Sequence, residues 1–183
     1  TLLLALGFNK SDIVNEFYEK EIYNYDDKSK KWKTKFNPEN YKSKNFSEEI
    51  IDAKTNKVII KKGEKINYLK AKKLQTDGLK EILVSNQFLL GKYLLKQLVL
   101  GEDIFKIGTE LNETIIDKII DQNITTIETA YTNSINKGPY LLQTIFNDKN
   151  ESKNDAINEI YKVLRPGEPP TIDIASQIFN NLF

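Results

Sequence analysis

The chain has no cysteine, no histidine and no methionine in its 183 residues. The first two absences remove disulfides, zinc sites of the usual ligand type, Cys/His nucleophilic triads and imidazole proton shuttles together. A carboxylate- or lysine-dependent enzyme remains open. Lack of cysteine is compatible with a reducing compartment. The missing methionine bears on provenance. A natural chain starts with Met and this one starts Thr1-Leu2-Leu3-Leu4, which suggests a piece of a longer polypeptide. Long apolar runs are also missing. Leu2 to Leu6 is followed at once by Asn9, Lys10 and Asp12, whereas a membrane-spanning helix needs about 20 apolar residues. The start lacks the basic flank of a signal peptide. These features predict a soluble, cytoplasmic chain without membrane contact. No charge sign dominates: 27 basic residues face 26 acidic ones, so any nucleic-acid contact must come from a local patch. Arginine occurs once, as Arg165, and every other basic residue is lysine. Lys, Asn and Ile are abundant, which reads as AT-rich coding before it reads as function and makes the lone arginine informative.

What is present suits one or two small domains with a real core: 39% hydrophobic and 29% charged residues. Residues 1–20 read as helix, broken at Asn9-Lys10-Ser11-Asp12, with Ser11 as the expected N-cap before the stripe Ile13, Val14, Phe17, Tyr18. Residues 21–36 switch to aromatic and β-branched residues around Asp26-Asp27-Lys28-Ser29-Lys30, a β-hairpin pattern. Residues 39–49 look like polar loop.

The middle repeats itself. Gly63-Glu64-Lys65-Ile66-Asn67 returns 45 residues later as Gly108-Thr109-Glu110-Leu111-Asn112, and the match runs on through Ala71/Ile116, Leu74/Ile119, Gly78/Asn123 and Ile82/Ile127. Each copy, about 58–84 and 103–129, reads strand–helix–strand. Asn67 or Asn112 caps the helix, and Gly78 or Asn123 takes the left-handed position past its end. The pair is expected to pack as two similar α+β lobes.

After residue 133 the helical period returns. Pro139 is expected at the first position of a helix, and Ser152-Lys153-Asn154-Asp155 resembles a capping box before a face of Ile157, Ile160, Tyr161 and Leu164. Arg165-Pro166-Gly167-Glu168-Pro169-Pro170 stops that helix. Thr171 opens a last one with the stripe Ala175, Ile178, Phe179, Leu182, Phe183.

The sharpest chemical signal is that proline-rich connector. Arg165 presents a planar donor fork suited to phosphate or base edges, and a stiff loop lowers the entropy cost of using it. The structural alternative is a turn in which Arg165 pairs with a carboxylate at a helix C-terminus. Lys28 to Lys35 surrounds Trp32 with lysines, a pattern that grips single strands or simply solvates a hairpin with Trp32 inside. Adjacent acids at Asp26-Asp27, Glu48-Glu49 and Glu102-Asp103 diverge on any regular element and read as surface charge. No catalytic or metal-binding set is assigned, and no phosphate-loop spacing occurs.

Gly138-Pro139-Tyr140, Asp148-Lys149-Asn150, the run from Glu159 to Thr171 and Phe179 through Phe183 together resemble the β subunit of bacterial DNA-directed RNA polymerase. Residues 1–8 resemble the helix preceding this run in the same lobe domain. Residues 21–137, including Phe46 to Lys54 and both repeats, resemble the lineage-specific insertion carried inside that lobe. Val163-Leu164 precedes the Arg where the family frequently has Met, a conservative change. The resemblance implies an α+β fold in which 1–20 and 138–183 form one discontinuous helical piece and 21–137 an inserted module. It implies a non-catalytic part of a nucleotidyltransferase that makes RNA from ribonucleoside triphosphates. The piece would flank downstream DNA, its insertion available to regulators. Partners would be the rest of β, the β′, α and σ subunits and promoter DNA. The Arg of this motif, here Arg165, would lie near the non-template strand. No cofactor belongs to this piece; the family's Mg²⁺ is bound by β′.

Two other readings stand beside this one. A free-standing α+β protein-interaction module accounts for the repeats without DNA. A small hydrolase would need converging acids, which the repeat does not provide, because Glu64 aligns with Thr109.

Overall fold

The computed structural model describes residues 1–41, 44–46, 48–133 and 136–182. Its helices are α1 (Leu2–Ala5), α2 (Lys10–Phe17), α3 (Tyr68–Thr76), α4 (Glu113–Asp121), α5 (Tyr140–Asn147), α6 (Lys153–Leu164) and α7 (Ile172–Leu182). The strands are β1 (Lys20–Asp26), β2 (Lys31–Lys35), β3 (Lys44–Asn45), β4 (Ile50–Asp52), β5 (Val58–Ile60) and β6 (Lys65–Ile66). They continue with β7 (Glu81–Val84), β8 (Tyr93–Leu94), β9 (Leu98–Leu100), β10 (Asp103–Phe105) and β11 (Thr126–Ala130). The fold is mixed α+β with antiparallel sheets, and it divides into two compact units, residues 18–138 and residues 1–17 with 139–183.

In the 18–138 unit the hairpin forms as its pattern requires, with Tyr25 opposite Trp32. Asp26 anchors its turn by accepting from Ser29 Oγ at 2.6 Å and from the Lys28 amide at 3.3 Å. The hairpin lies at the centre of a seven-stranded sheet ordered β5-β4-β7-β2-β1-β11-β8. Its two sides are bordered by the last strand of each repeat: β7 pairs with β2 and β11 with β1. The repeat is visible bond for bond. Asn67 and Asn112 accept from the Lys70 and Ile115 amides at 2.8 and 2.9 Å, capping α3 and α4. Gly78 (φ 105°) and Asn123 (φ 54°) close both helices in the left-handed region. The Phe36 and Tyr25 amides donate to the carbonyls of Lys80 and Thr125, equivalent positions in the two copies.

The two-lobe expectation is corrected here. Ala71 of α3 and Ile115, Ile116 and Ile119 of α4 belong to one buried cluster with Tyr23, Trp32, Ile82 and Ile127. Each copy alone has too little apolar surface to close a core, so the copies share one, with the hairpin between them. Their first strands also differ. β5 is an edge of the large sheet, whereas β10 pairs with β9 in a separate hairpin. The stretch expected as polar loop contains a 3₁₀ turn at Pro38–Tyr41 and two core residues. Phe36, Tyr41 and Phe46 stack at 4.9 and 5.6 Å, contacts worth about 0.5–1.5 kcal/mol each beyond burial. Tyr18 donates to the Gly138 carbonyl at 2.9 Å, tying the two chain ends of this unit together.

The second unit is all helical, with α6 packed on α1 and α7, and α2 on α5. Asn9, not Ser11, caps α2, accepting from the Asp12 amide at 2.8 Å. Pro139 occupies the N-cap of α5 rather than its first turn. Ser152 and Asp155 form a complete capping box on α6. Ile157, Tyr161, Ala175 and Phe179 are buried, but Leu164 and Leu182 of the expected stripes are exposed, and Phe183 lies outside the described residues. Partial burial alone would raise the carboxyl of Asp148. The Thr1 ammonium at 2.6 Å and the Asn150 amide at 2.9 Å outweigh it and hold it at about 2. Among the described residues, no helix is long and apolar enough to cross a membrane.

Candidate nucleic-acid interface

The connector after α6 folds as its residues dictate. Proline cannot continue a helix and presets φ for the second position of a turn, and glycine supplies the positive φ that a type II turn needs at its third. Arg165 ends α6, Gly167 takes φ 90°, and the Glu168 amide donates to the Arg165 carbonyl at 3.3 Å. The side chains close the same loop. Arg165 Nη1 donates to Glu168 Oε2 at 3.3 Å, and the Tyr161 hydroxyl donates to the same oxygen at 3.0 Å. Burial of the Tyr161 ring, reinforced by Glu168, raises its phenol pKa. Tyr161 is buried while the Arg165 and Glu168 side chains stay more than half exposed, so the turn is a rooted base carrying a solvent-facing ion pair. An exposed pair of this kind is worth about 0–1 kcal/mol, so the guanidinium can exchange Glu168 for an external anion at little cost.

The other sequence candidates separate on inspection. Trp32 is fully buried, donates from Nε1 to Asn86 Oδ1 at 2.9 Å and packs on Tyr25 at 4.9 Å. Its ring faces the core, so it offers no platform for bases. The alternation that buries it turns Lys31, Lys33 and Lys35 to the opposite face, where Lys33 meets Glu81 at 3.5 Å. Of the acid pairs, Asp26 holds the hairpin turn and its pKa falls, chiefly through Ser29. Asp103 pairs with Lys118. Glu48 is not simple surface charge: it is half-buried and accepts from the Ser85 amide at 3.1 Å. Among the described residues, no three acidic side chains converge as a cation site.

One polar cluster has no signature in the sequence. Glu21 of β1 accepts from Lys92 Nζ at 2.6 Å, the Tyr23 hydroxyl at 3.1 Å and Asn40 Nδ2 at 3.0 Å. The Lys92 ammonium also lies 5.4 and 5.3 Å from the Tyr23 and Phe88 ring centroids. Both charged side chains are close to buried, so this pair serves the fold of its unit rather than a ligand.

No protein-family model matches the chain. Curated relatives align over its whole length. The β subunit of DNA-directed RNA polymerase from Rhizobium leguminosarum bv. trifolii is 35% identical, that from Rickettsia conorii 36% and that from Caulobacter vibrioides 34%. The chain spans only 13–14% of the length of these relatives. Along its full length the chain is therefore similar to one segment of the β subunit of bacterial DNA-directed RNA polymerase.

Proposed function

We propose that this chain is a non-catalytic part of a bacterial, cytoplasmic RNA polymerase that copies DNA into RNA from ribonucleoside triphosphates. The magnesium-dependent nucleotidyl transfer takes place on other parts of the assembled enzyme, whose remaining β chain and β′, α and σ subunits are the partners. The helical unit, residues 1–17 and 139–183, acts as lobe, flanking the DNA, and the 18–138 unit is an inserted module that docks regulators. The observation that carries this reading is the alignment of the whole chain, helical ends and α+β middle alike, with named β subunits. Arg165 is the residue assigned to DNA. The reading is supported by its rigid turn, its exposure and the weakness of its pairing with Glu168.

The test is Arg165→Ala in the assembled polymerase, read as open-complex lifetime on several promoters. Loss of one phosphate or base contact costs about 1–3 kcal/mol and shortens the lifetime accordingly. A lifetime unchanged across promoters and salt concentrations assigns Arg165 to the turn alone. The purified chain is expected to incorporate no nucleotide, and measurable incorporation would contradict the non-catalytic role.

A further inference from the structure

The two repeats have the same backbone and opposite charge. Residues 58–84 carry seven lysines and three acids, and the aligned residues 103–129 carry two lysines and six acids. Lys65 and Lys72 of the first copy stand where the second has Glu110 and Asp117. A coding bias toward lysine would act on both copies alike, so it does not explain the segregation. The sheet keeps the charges apart, because β5 and β7 lie toward one end and β11 toward the other.

The basic copy exposes its lysines on α3 and on the chain leading into it. On α3 the positions Leu69, Lys72, Lys73 and Thr76 follow i, i+3, i+4, i+7 spacing and share the face opposite buried Ala71. All four are exposed, Leu69 at 74%. The β5–β6 turn adds exposed Lys61 and Lys62, and β6 adds exposed Lys65. Glu64 joins turn to helix, accepting from the Lys61 amide at 3.0 Å while pairing with Lys70.

We infer that this α3 face is a docking surface for an acidic peptide segment that carries a large apolar side chain, contributed by a protein partner. The lysines supply the complementary field, and Leu69 supplies the apolar contact. The composition argues against a nucleic acid. The face has no arginine for bidentate phosphate contact, Tyr68 is already covered by Lys72 at 5.8 Å, and a phosphate backbone gains nothing from an exposed leucine. This assignment rests on the regulator-docking reading of the module and specifies its chemistry.

The test uses the intact chain and three fluorescent probes: a short Glu/Asp/Leu peptide, the same peptide with Leu replaced by Ser, and a DNA duplex of similar charge. The leucine-bearing peptide is expected to bind most tightly. Lys72→Glu with Lys73→Glu should weaken it by about tenfold or more, and Leu69→Ser by several-fold. Asp117→Lys, at the equivalent position of the acidic copy, should leave binding unchanged. These substitutions are on the surface, and unchanged thermal melting verifies the fold. The inference fails if the duplex binds as tightly as the peptide and Leu69→Ser has no effect. It also fails if Asp117→Lys weakens the peptide as much as the lysine reversals do. A third overturning result is sedimentation showing that the face instead holds a second copy. Deleting residues 21–137 from the assembled polymerase tests the docking reading separately. Unchanged regulator responses would defeat that reading, whereas a peptide that ignores this face defeats only the present inference.

Discussion

Breaking the Glu21–Lys92 pair is expected to destabilise the 18–138 unit more than any surface ion pair could. The two side chains retain only 13% and 14% of their exposure and meet at 2.6 Å. Removing one partner of a pair at such depth strands a charge, at a cost of about 3–5 kcal/mol. Lys92→Met falls at the lower end, because Tyr23 and Asn40 still donate to the carboxylate. Glu21→Leu falls at the upper end. It orphans the Tyr23 hydroxyl and the Asn40 amide and leaves the ammonium with only two aromatic rings, each worth about 0.5–2 kcal/mol. The double variant Glu21→Gln with Lys92→Met strands no charge and should recover to within about 1.5 kcal/mol of the parent. Urea unfolding monitored by Trp32 fluorescence reads all three, since Trp32 lies in the same core. With a slope of about 1–3 kcal/mol per molar urea, the single variants shift the midpoint by roughly 1 M or more. Single losses below about 1 kcal/mol would show a solvated pair and refute the reasoning.

The two asparagine caps should each contribute about 1 kcal/mol. Asn67→Ala and Asn112→Ala should therefore lower the unfolding midpoint similarly, and unequal losses would show that the copies are not equivalent in energy. Gly78→Ala meets open space, so its cost is the left-handed backbone alone, about 1 kcal/mol, checked by the same titration. The carboxyls of Asp26, Asp52, Asp148 and Asp155 all lie below their ordinary values. Their stabilisation is present above about pH 4 and lost as they protonate in the fold. Thermal midpoints should thus be flat from neutrality to pH 5 and fall from pH 4 toward pH 2; a flat profile to pH 2 contradicts this. Burial pushes the Tyr23 and Tyr41 phenols up. They should stay protonated until alkaline unfolding, whereas their ionisation in the folded chain, seen by ultraviolet titration, would place them at the surface.

The features legible beforehand were those governed by neighbours in sequence. The hairpin around Asp26–Lys30, the caps at Asn67 and Asn112, the left-handed Gly78 and Asn123 and the Ser152–Asp155 box depend on contacts a few residues apart. The turn at Arg165–Glu168 is equally local, and its Pro-Gly pair specifies it. Pairing of Arg165 with a carboxylate was one of two open readings, and Glu168 was within reach in sequence.

What sequence did not disclose was what meets across long separations. Nothing local tells β7 and β11 to border one hairpin instead of building two lobes; burying one shared apolar surface decides it. Tyr41 and Phe46 sit among polar neighbours, and only the stack in which Tyr41 lies on both Phe36 and Phe46 makes them core. Glu21 and Lys92 are ordinary surface residue types 71 positions apart, brought together when β8 joins the edge of the sheet beside β11. Amino-acid order alone determined the hairpin turn, the asparagine caps, the capping box, the repeat and its reversal of charge, because each rests on short-range sterics, hydrogen bonds or composition. Tertiary structure alone decided the strand order, the shared core and the buried ion pair, because these depend on which distant surfaces exclude water from one another.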